Sequence, residues 1–203
     1  MNKQRVFAAF AVVAAVVLWG YLAGGRSSQE RVRAQSLHAE GKRNPAPEFA
    51  LRDADGKTVR LNDYRGKVVL LDFWATWCGP CKIEIPWFVD MQRRHKDRGF
   101  AVIGVSMDDD GWESVKPFLS KMNVNYRVVI GNDTTAEAYG GVSALPTTFL
   151  IDREGRIAAT HVGLVSRRDF EDGVEQLLQA TPPAGNAGGA NHVALPAFAL
   201  RAE

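Results

Sequence analysis

Two residues in the chain are suited to reversible covalent chemistry at sulfur: Cys78 and Cys81, separated by Gly79 and Pro80. A thiol attacks as its thiolate, and a cysteine at the start of a helix is stabilised as an anion by unpaired backbone N–H groups and the helix dipole. With two residues between them, the second cysteine lies one turn into such a helix. It can close a small disulfide with the first and so release a substrate held as a mixed disulfide. The spacing makes Cys78 the attacking thiol and Cys81 the resolving one. The rival use of a Cys-x-x-Cys is half of a zinc site, which needs two further ligands. There is no third cysteine, and His38, His95, His161 and His192 lie far apart along the chain, so no metal is expected. An inert pair of buried cysteines is the other alternative. A strand before the pair and a helix opened by Pro80 after it favour redox chemistry, with no cofactor beyond a Cys78–Cys81 disulfide.

Both flanking elements are legible. Residues 67–73 (KVVLLDF) form an almost continuous apolar run, the pattern of a central strand buried on both faces. Residues 80–96 alternate apolar and polar at helical spacing, with Ile83, Trp87, Phe88 and Met91 on one broad face. Upstream, 49–51 and 58–61 flank an Asp-Ala-Asp-Gly-Lys turn and predict a hairpin, followed by a second turn at 62–66. Downstream, 100–107 reads as a second buried strand, 112–122 as a helix interrupted by Pro117, 126–130 as a short strand and 134–139 as a short helix. Residues 147–151 and 156–162 are strands joined by a tight turn. The last helix, 166–179, repeats Phe170, Val174, Leu177 and Leu178 on one side. This alternation predicts an α/β fold with a mixed central sheet flanked by helices, an N-terminal hairpin and a central αβ insertion.

At 203 residues the chain has the size of one domain with appendages. Its net charge is +2, with Lys and Arg scattered among Asp and Glu, so no nucleic-acid partner is expected. Residues 6–25 are uncharged and mostly apolar, and as a helix they would rise about 30 Å, the thickness of a bilayer's hydrocarbon core. That run is longer than the roughly 7–15-residue core of a cleaved signal, so it reads as a single-pass anchor, with a signal sequence as the alternative. Lys3 and Arg5 face Arg26, Arg31 and Arg33 across it, and charge alone does not orient it. Long domains translocate largely regardless of charge, which favours an exported domain. Residues 26–44 read as a polar linker, 45–180 as the folded domain and 181–203, rich in Pro, Gly and Ala, as a disordered tail.

Residues 73–82 (FWATWCGPCK) resemble the active-site segment of thioredoxins. The segment CKIEIP at 81–86, the insertion ahead of Pro146, and the N-terminal anchor resemble more closely the TlpA/ResA-like branch of extracytoplasmic thioredoxins. The likeness covers about 45–179 and has a second specific match in ALPTTF at 144–149. It implies a thioredoxin-like fold and a thiol:disulfide oxidoreductase. It implies that Pro146 is cis and faces the disulfide, holding the backbone of Leu145 open to an extended substrate and keeping metals off the thiols. Trp77, Gly79, Pro80 and Leu145 would contact that substrate. Asp72 would be the buried aspartate, raised in pKa by burial, that exchanges a proton with Cys81. Glu84 would stand beside the active site and modulate thiol acidity or substrate choice; the alternative is a solvated charge on an amphipathic helix. Thioredoxins carry a lysine on the strand next to the aspartate, whereas 102–105 here read VIGV with no lysine, a departure from the pattern that would tune Asp72.

The resemblance also implies protein disulfide substrates, apocytochrome c among the client classes, and a membrane electron donor. The catalytic domain would stand on the periplasmic side of the bacterial inner membrane, attached through the N-terminal helix. A Gly-Pro dipeptide between the cysteines goes with a potential near about −270 mV and hence a reductant. A disulfide oxidase or isomerase, at about −120 to −180 mV, is the alternative. A peroxiredoxin-like peroxidase would show Thr-x-x-Cys, but Thr76 lies two residues before Cys78. A redox-silent docking module would usually have lost a cysteine.

Overall fold

The computed structural model describes residues 37–180. The expected anchor at 6–25, the first part of the linker and the tail at 181–203 lie outside the described residues. Among those described, no helix is long and apolar enough to cross a membrane.

Strands β1 (Ala50–Arg52) and β2 (Thr58–Arg60) pair antiparallel as the expected hairpin. Its turn is closed by Asp53, whose Oδ1 accepts the backbone N–H groups of Asp55 and Lys57 at 3.0 and 2.9 Å. The central strand β3 (Val68–Trp74) is buried at every position and leads into helix α1 (Gly79–His95). Strand β4 (Phe100–Ser106), helix α2 (Trp112–Lys121), β5 (Arg127–Ile130) and the short α3 (Asp133–Ala138) follow. Strands β6 (Thr147–Ile151) and β7 (Ile157–Val162) and helix α4 (Arg167–Gln179) complete the chain. The five-stranded sheet runs β5-β4-β3-β6-β7, parallel through β5, β4 and β3 and antiparallel at β6 and β7. The mixed sheet expected from the alternation is therefore present.

A central strand covered on both faces needs apolar residues at both parities. Val69, Leu71 and Phe73 pack with Phe49, Leu51, Val59, Tyr139 and Phe149 on one face. Val68 and Leu70 pack on the other with Phe88 and Met91 of α1 and Phe170, Val174 and Leu177 of α4. The one charged residue in β3, Asp72, thus points into the layer between sheet and α1.

Three expectations are corrected. The buried stripe of α1 is Cys81, Glu84, Ile85, Phe88 and Met91, while Ile83 is 50% exposed. Residues two apart on a helix face different ways, so Ile83 cannot share the side that Cys81 and Ile85 occupy. Helix α2 is not interrupted at Pro117. Pro117 lies on its exposed face, so the carbonyl that loses its intrahelical partner is open to water. The last residues of the expected linker are docked. His38 N–H donates to the Ala158 carbonyl at 2.6 Å, Ile157 N–H to the Asn44 carbonyl at 2.8 Å, and Arg43 pairs with the buried Asp152 at 3.1 Å. Leu37 packs against the cluster beneath α4, so the folded unit begins ahead of Pro45.

Candidate active site

Strand β3 ends at Trp74, and the chain turns through Ala75, Thr76 and Trp77 to reach Cys78, the N-cap of α1. Gly79 and Pro80 occupy the first two helical positions, where the missing proline N–H costs nothing. Cys78 and Cys81 form a disulfide with Cα atoms 5.3 Å apart. The Cys78 Sγ accepts the backbone N–H of Cys81 at 3.2 Å, one of the helix's unpaired donors. Cys78 retains 4% exposure and Cys81 none, so an incoming sulfur can reach only Cys78.

The rim of the site is apolar. Trp77 is 69% exposed, Gly79 and Pro80 are exposed, and half-buried Leu145 packs against the cluster that holds both cysteines. The Leu145–Pro146 peptide is cis. The Pro146 carbonyl accepts Gly163 N–H at 2.8 Å, which brings exposed Val162 and Leu164 to the same edge. The sequence reading did not include those two, because an apolar residue at a strand end carries no signal by itself.

Asp108, also not singled out, grips the loop ahead of Cys78. Its carboxylate accepts the Thr76 N–H at 2.9 Å, the Thr76 hydroxyl at 2.5 Å and the Ser106 hydroxyl at 2.7 Å. It is the first of three consecutive aspartates directly after a buried strand, and that position was the available clue. The Thr76 hydroxyl is thereby committed to Asp108.

Asp72, two residues before the end of β3, and Glu84, one turn of α1 beyond Cys81, are both fully buried. Glu84 is therefore not a solvated helix charge. Burial pushes the Asp72 carboxyl above the usual carboxylate range, partly offset by the Thr148 hydroxyl, which donates to its Oδ1 at 3.3 Å. Burial pushes Glu84 up as well, and the facing charge of Asp72 raises it further. The β4 residue opposite Asp72 is Gly104. A Cβ there would stand 2.8 Å from Trp74 Nε1 and 3.4 Å from the Tyr126 ring, so those two rings fill the space. Across β6, Thr148 lies opposite His161 of β7, which packs edge-on against Phe170 at 5.1 Å. Among the described residues, no group of three or more His, Cys, Asp or Glu is placed to hold a metal ion.

The comparisons with known proteins agree with this geometry. A family model described as the AhpC/TSA family matches residues 43–160. The thiol-disulfide oxidoreductase ResA of Geobacillus thermodenitrificans is 35% identical over 133 residues, 65% of this chain and 75% of that protein. ResA of Bacillus subtilis is 36% identical over 127 residues, 63% of this chain and 70% of that protein. A crystal structure of a thiol:disulfide interchange protein of the thioredoxin family from Chlorobium tepidum superposes with a TM-score of 0.63. It is 32% identical and covers 69% of this chain and 99% of that one. With a thioredoxin-like sheet, a Cys-x-x-Cys disulfide capping α1 and these relatives, the chain belongs to the AhpC/TSA family and, within it, to the ResA-like thiol-disulfide oxidoreductases.

Proposed function

We propose that the chain reduces disulfides in exported proteins, with apocytochrome c as one client class, from a position on the periplasmic face of the bacterial inner membrane. The observation that carries the chemistry is a disulfide with one sulfur at an apolar rim and the other fully buried, one helical turn before the buried Glu84. The Cys78 thiolate attacks a client disulfide and forms a mixed disulfide, and the first client sulfur leaves as a thiolate. Cys81 then attacks the Cys78 Sγ, the Cys78–Cys81 bond forms, and the second client sulfur departs with its electron pair. The client has gained two electrons and this protein has lost two. A thiol donor in the membrane returns them, so no cofactor beyond the Cys78–Cys81 pair is required.

Trp77, Gly79, Pro80 and Leu145 line the approach to Cys78, and Pro146 fixes the loop that presents Leu145. Asp72 and Glu84 receive the proton that Cys81 loses. Residues 6–25 hold the domain at the membrane. The reading is tested by the reduction potential of the full chain in detergent, equilibrated in thiol/disulfide buffers and followed by tryptophan fluorescence. A value below about −230 mV is expected, and one above about −180 mV replaces the reductant by an oxidase or isomerase.

A further inference from the structure

The surroundings of the two buried acids contain hydrogen-bonding groups whose needs are complementary. Among the described residues, Asp72 Oδ2 and both Glu84 carboxyl oxygens are buried without a hydrogen-bond partner. Two buried donors nearby have no acceptor among the described residues: the Trp74 indole N–H and the Tyr126 hydroxyl. Both rings pass over Gly104, which sits beside Asp72 in the sheet. Trp74 is two residues beyond Asp72 on the same face of β3. Tyr126 enters from the segment before β5, and the charges of Asp72 and Glu84 act on its phenol. Trp74, Cys81 and Tyr126 meet in one apolar cluster, and Glu84 follows Cys81 by one helical turn on the buried side of α1.

A doubly protonated acid pair is neutral and satisfies itself. A singly protonated pair carries a negative charge in a low-dielectric interior and requires outside donors. We propose that Tyr126 is a positioning residue for the resolving step. Its hydroxyl, together with the Trp74 N–H, donates to the singly ionised Asp72–Glu84 pair, directly or across one bridging water, and keeps the pair ready to take a proton from Cys81. When a sulfur is held on Cys78, the Cys81 thiol passes its proton to the ionised carboxyl. Its Sγ attacks the Cys78 Sγ, and the departing sulfur leaves as a thiolate. The groups around the pair are the Thr148 hydroxyl on β6, which donates to Asp72, Tyr126 before β5, on which both charges act, Trp74 on the same face of β3 as Asp72, and Cys81 one turn before Glu84 on α1, with His161 on β7 beyond Thr148.

The inference rests on the exchange chemistry proposed above but not on its physiological direction. The test is a single turnover of the reduced full chain with the aromatic disulfide 5,5′-dithiobis(2-nitrobenzoate). One coloured thiolate is released when Cys78 attacks, and a second, in a first-order phase, when Cys81 resolves. Tyr126→Phe is expected to leave the first phase unchanged. It should slow the second about tenfold near neutral pH, equivalent to a shift of about one pH unit, with the deficit closing at high pH where Cys81 ionises unaided. In an Asp72→Asn, Glu84→Gln background the same change is expected to add nothing. Equal second phases in parent and variant, an equal deficit at every pH, or a further loss in the background lacking both acids would each overturn the proposal. Should Tyr126→Phe fold poorly, 3-fluorotyrosine at position 126 keeps the ring and strengthens the donor. The second phase should then move to lower pH, and no movement or the opposite sign overturns the assignment. A high reduction potential with this pH behaviour intact would overturn the reductant reading and leave the Tyr126 inference standing.

Discussion

Asp72 and Glu84 hold their carboxyl groups above the ordinary range because both are buried, and the charge of Asp72 raises Glu84 further. That raises a stability question with a definite sign. In the unfolded chain both titrate near about pH 4, whereas in the folded protein they keep protons to higher pH. Their favourable contribution is therefore complete below about pH 4 and is drained as pH rises toward the folded values. Glu84→Gln keeps the size and removes one titration. The variant should match the parent in urea unfolding near about pH 4 and exceed it by on the order of 1–3 kcal/mol at about pH 9. A constant difference across that range would mean that Glu84 titrates alike in the folded and unfolded states. At this scale the sequence was uneven. Cys78 and Cys81 were legible because their spacing alone defines the chemistry. The burial of Glu84 was not, because a single carboxylate on an amphipathic helix has the same pattern whether it faces water or the core. Tyr126 was invisible for a different reason: its reach toward Asp72 depends on a missing side chain at Gly104, on another strand.

At the scale of elements, the strands were readable where burial is symmetrical. The apolar runs of β3 and β4 match their observed bounds to within a residue, since a strand covered on both faces leaves little room for polar positions. Helix α1 was placed correctly but rotated, because Ile83 looked like a core residue while the buried stripe recruits Glu84. Pro117 misled in the other direction, since a proline on a solvent face removes one hydrogen bond without ending the helix. The β4 position opposite Asp72 offers a sharp test of the packing. Gly104→Ala places a Cβ 2.8 Å from Trp74 Nε1 and 3.2 Å from Val128 Cγ2. The expected cost is about 1–3 kcal/mol in chemical denaturation, with a changed tryptophan emission as the indole is displaced. An unchanged midpoint and spectrum would mean that the two rings yield freely.

For the molecule as a whole, the order of β and α segments was enough to predict a mixed sheet between helices, and the sheet order places the disulfide at the C-terminal end of β3. The domain's N-terminal edge was not legible. Residues 37–44 are polar and short of large apolar groups, and what holds them is backbone pairing with 157–158 and the Arg43–Asp152 ion pair, neither of which leaves a period in the sequence. A chain starting at Pro45 should lose these contacts and the packing of Leu37. Its thermal midpoint is expected to fall by roughly 2–4 °C for each kcal/mol lost, read by calorimetry against a chain starting at Arg26. Coincident midpoints would mean that the segment adds nothing.

The docking of 37–44 also sets the length of a leash. Were residues 6–25 to lie in the bilayer as proposed, at most residues 26–36, rather than 26–44, would separate the membrane from the docked segment. Fully extended, those residues reach at most about 36–40 Å. The leash joins the domain beside Ala158, at the end of β7 away from Val162, whose neighbour Gly163 bonds to Pro146 at the active-site edge. On that proposal Cys78 would be confined to a shallow shell above the lipid surface, with its rim at the end of β7 away from the docked segment. Encounters with a membrane donor of the proposed kind would then be a two-dimensional search, limited to thiols that stand within that shell.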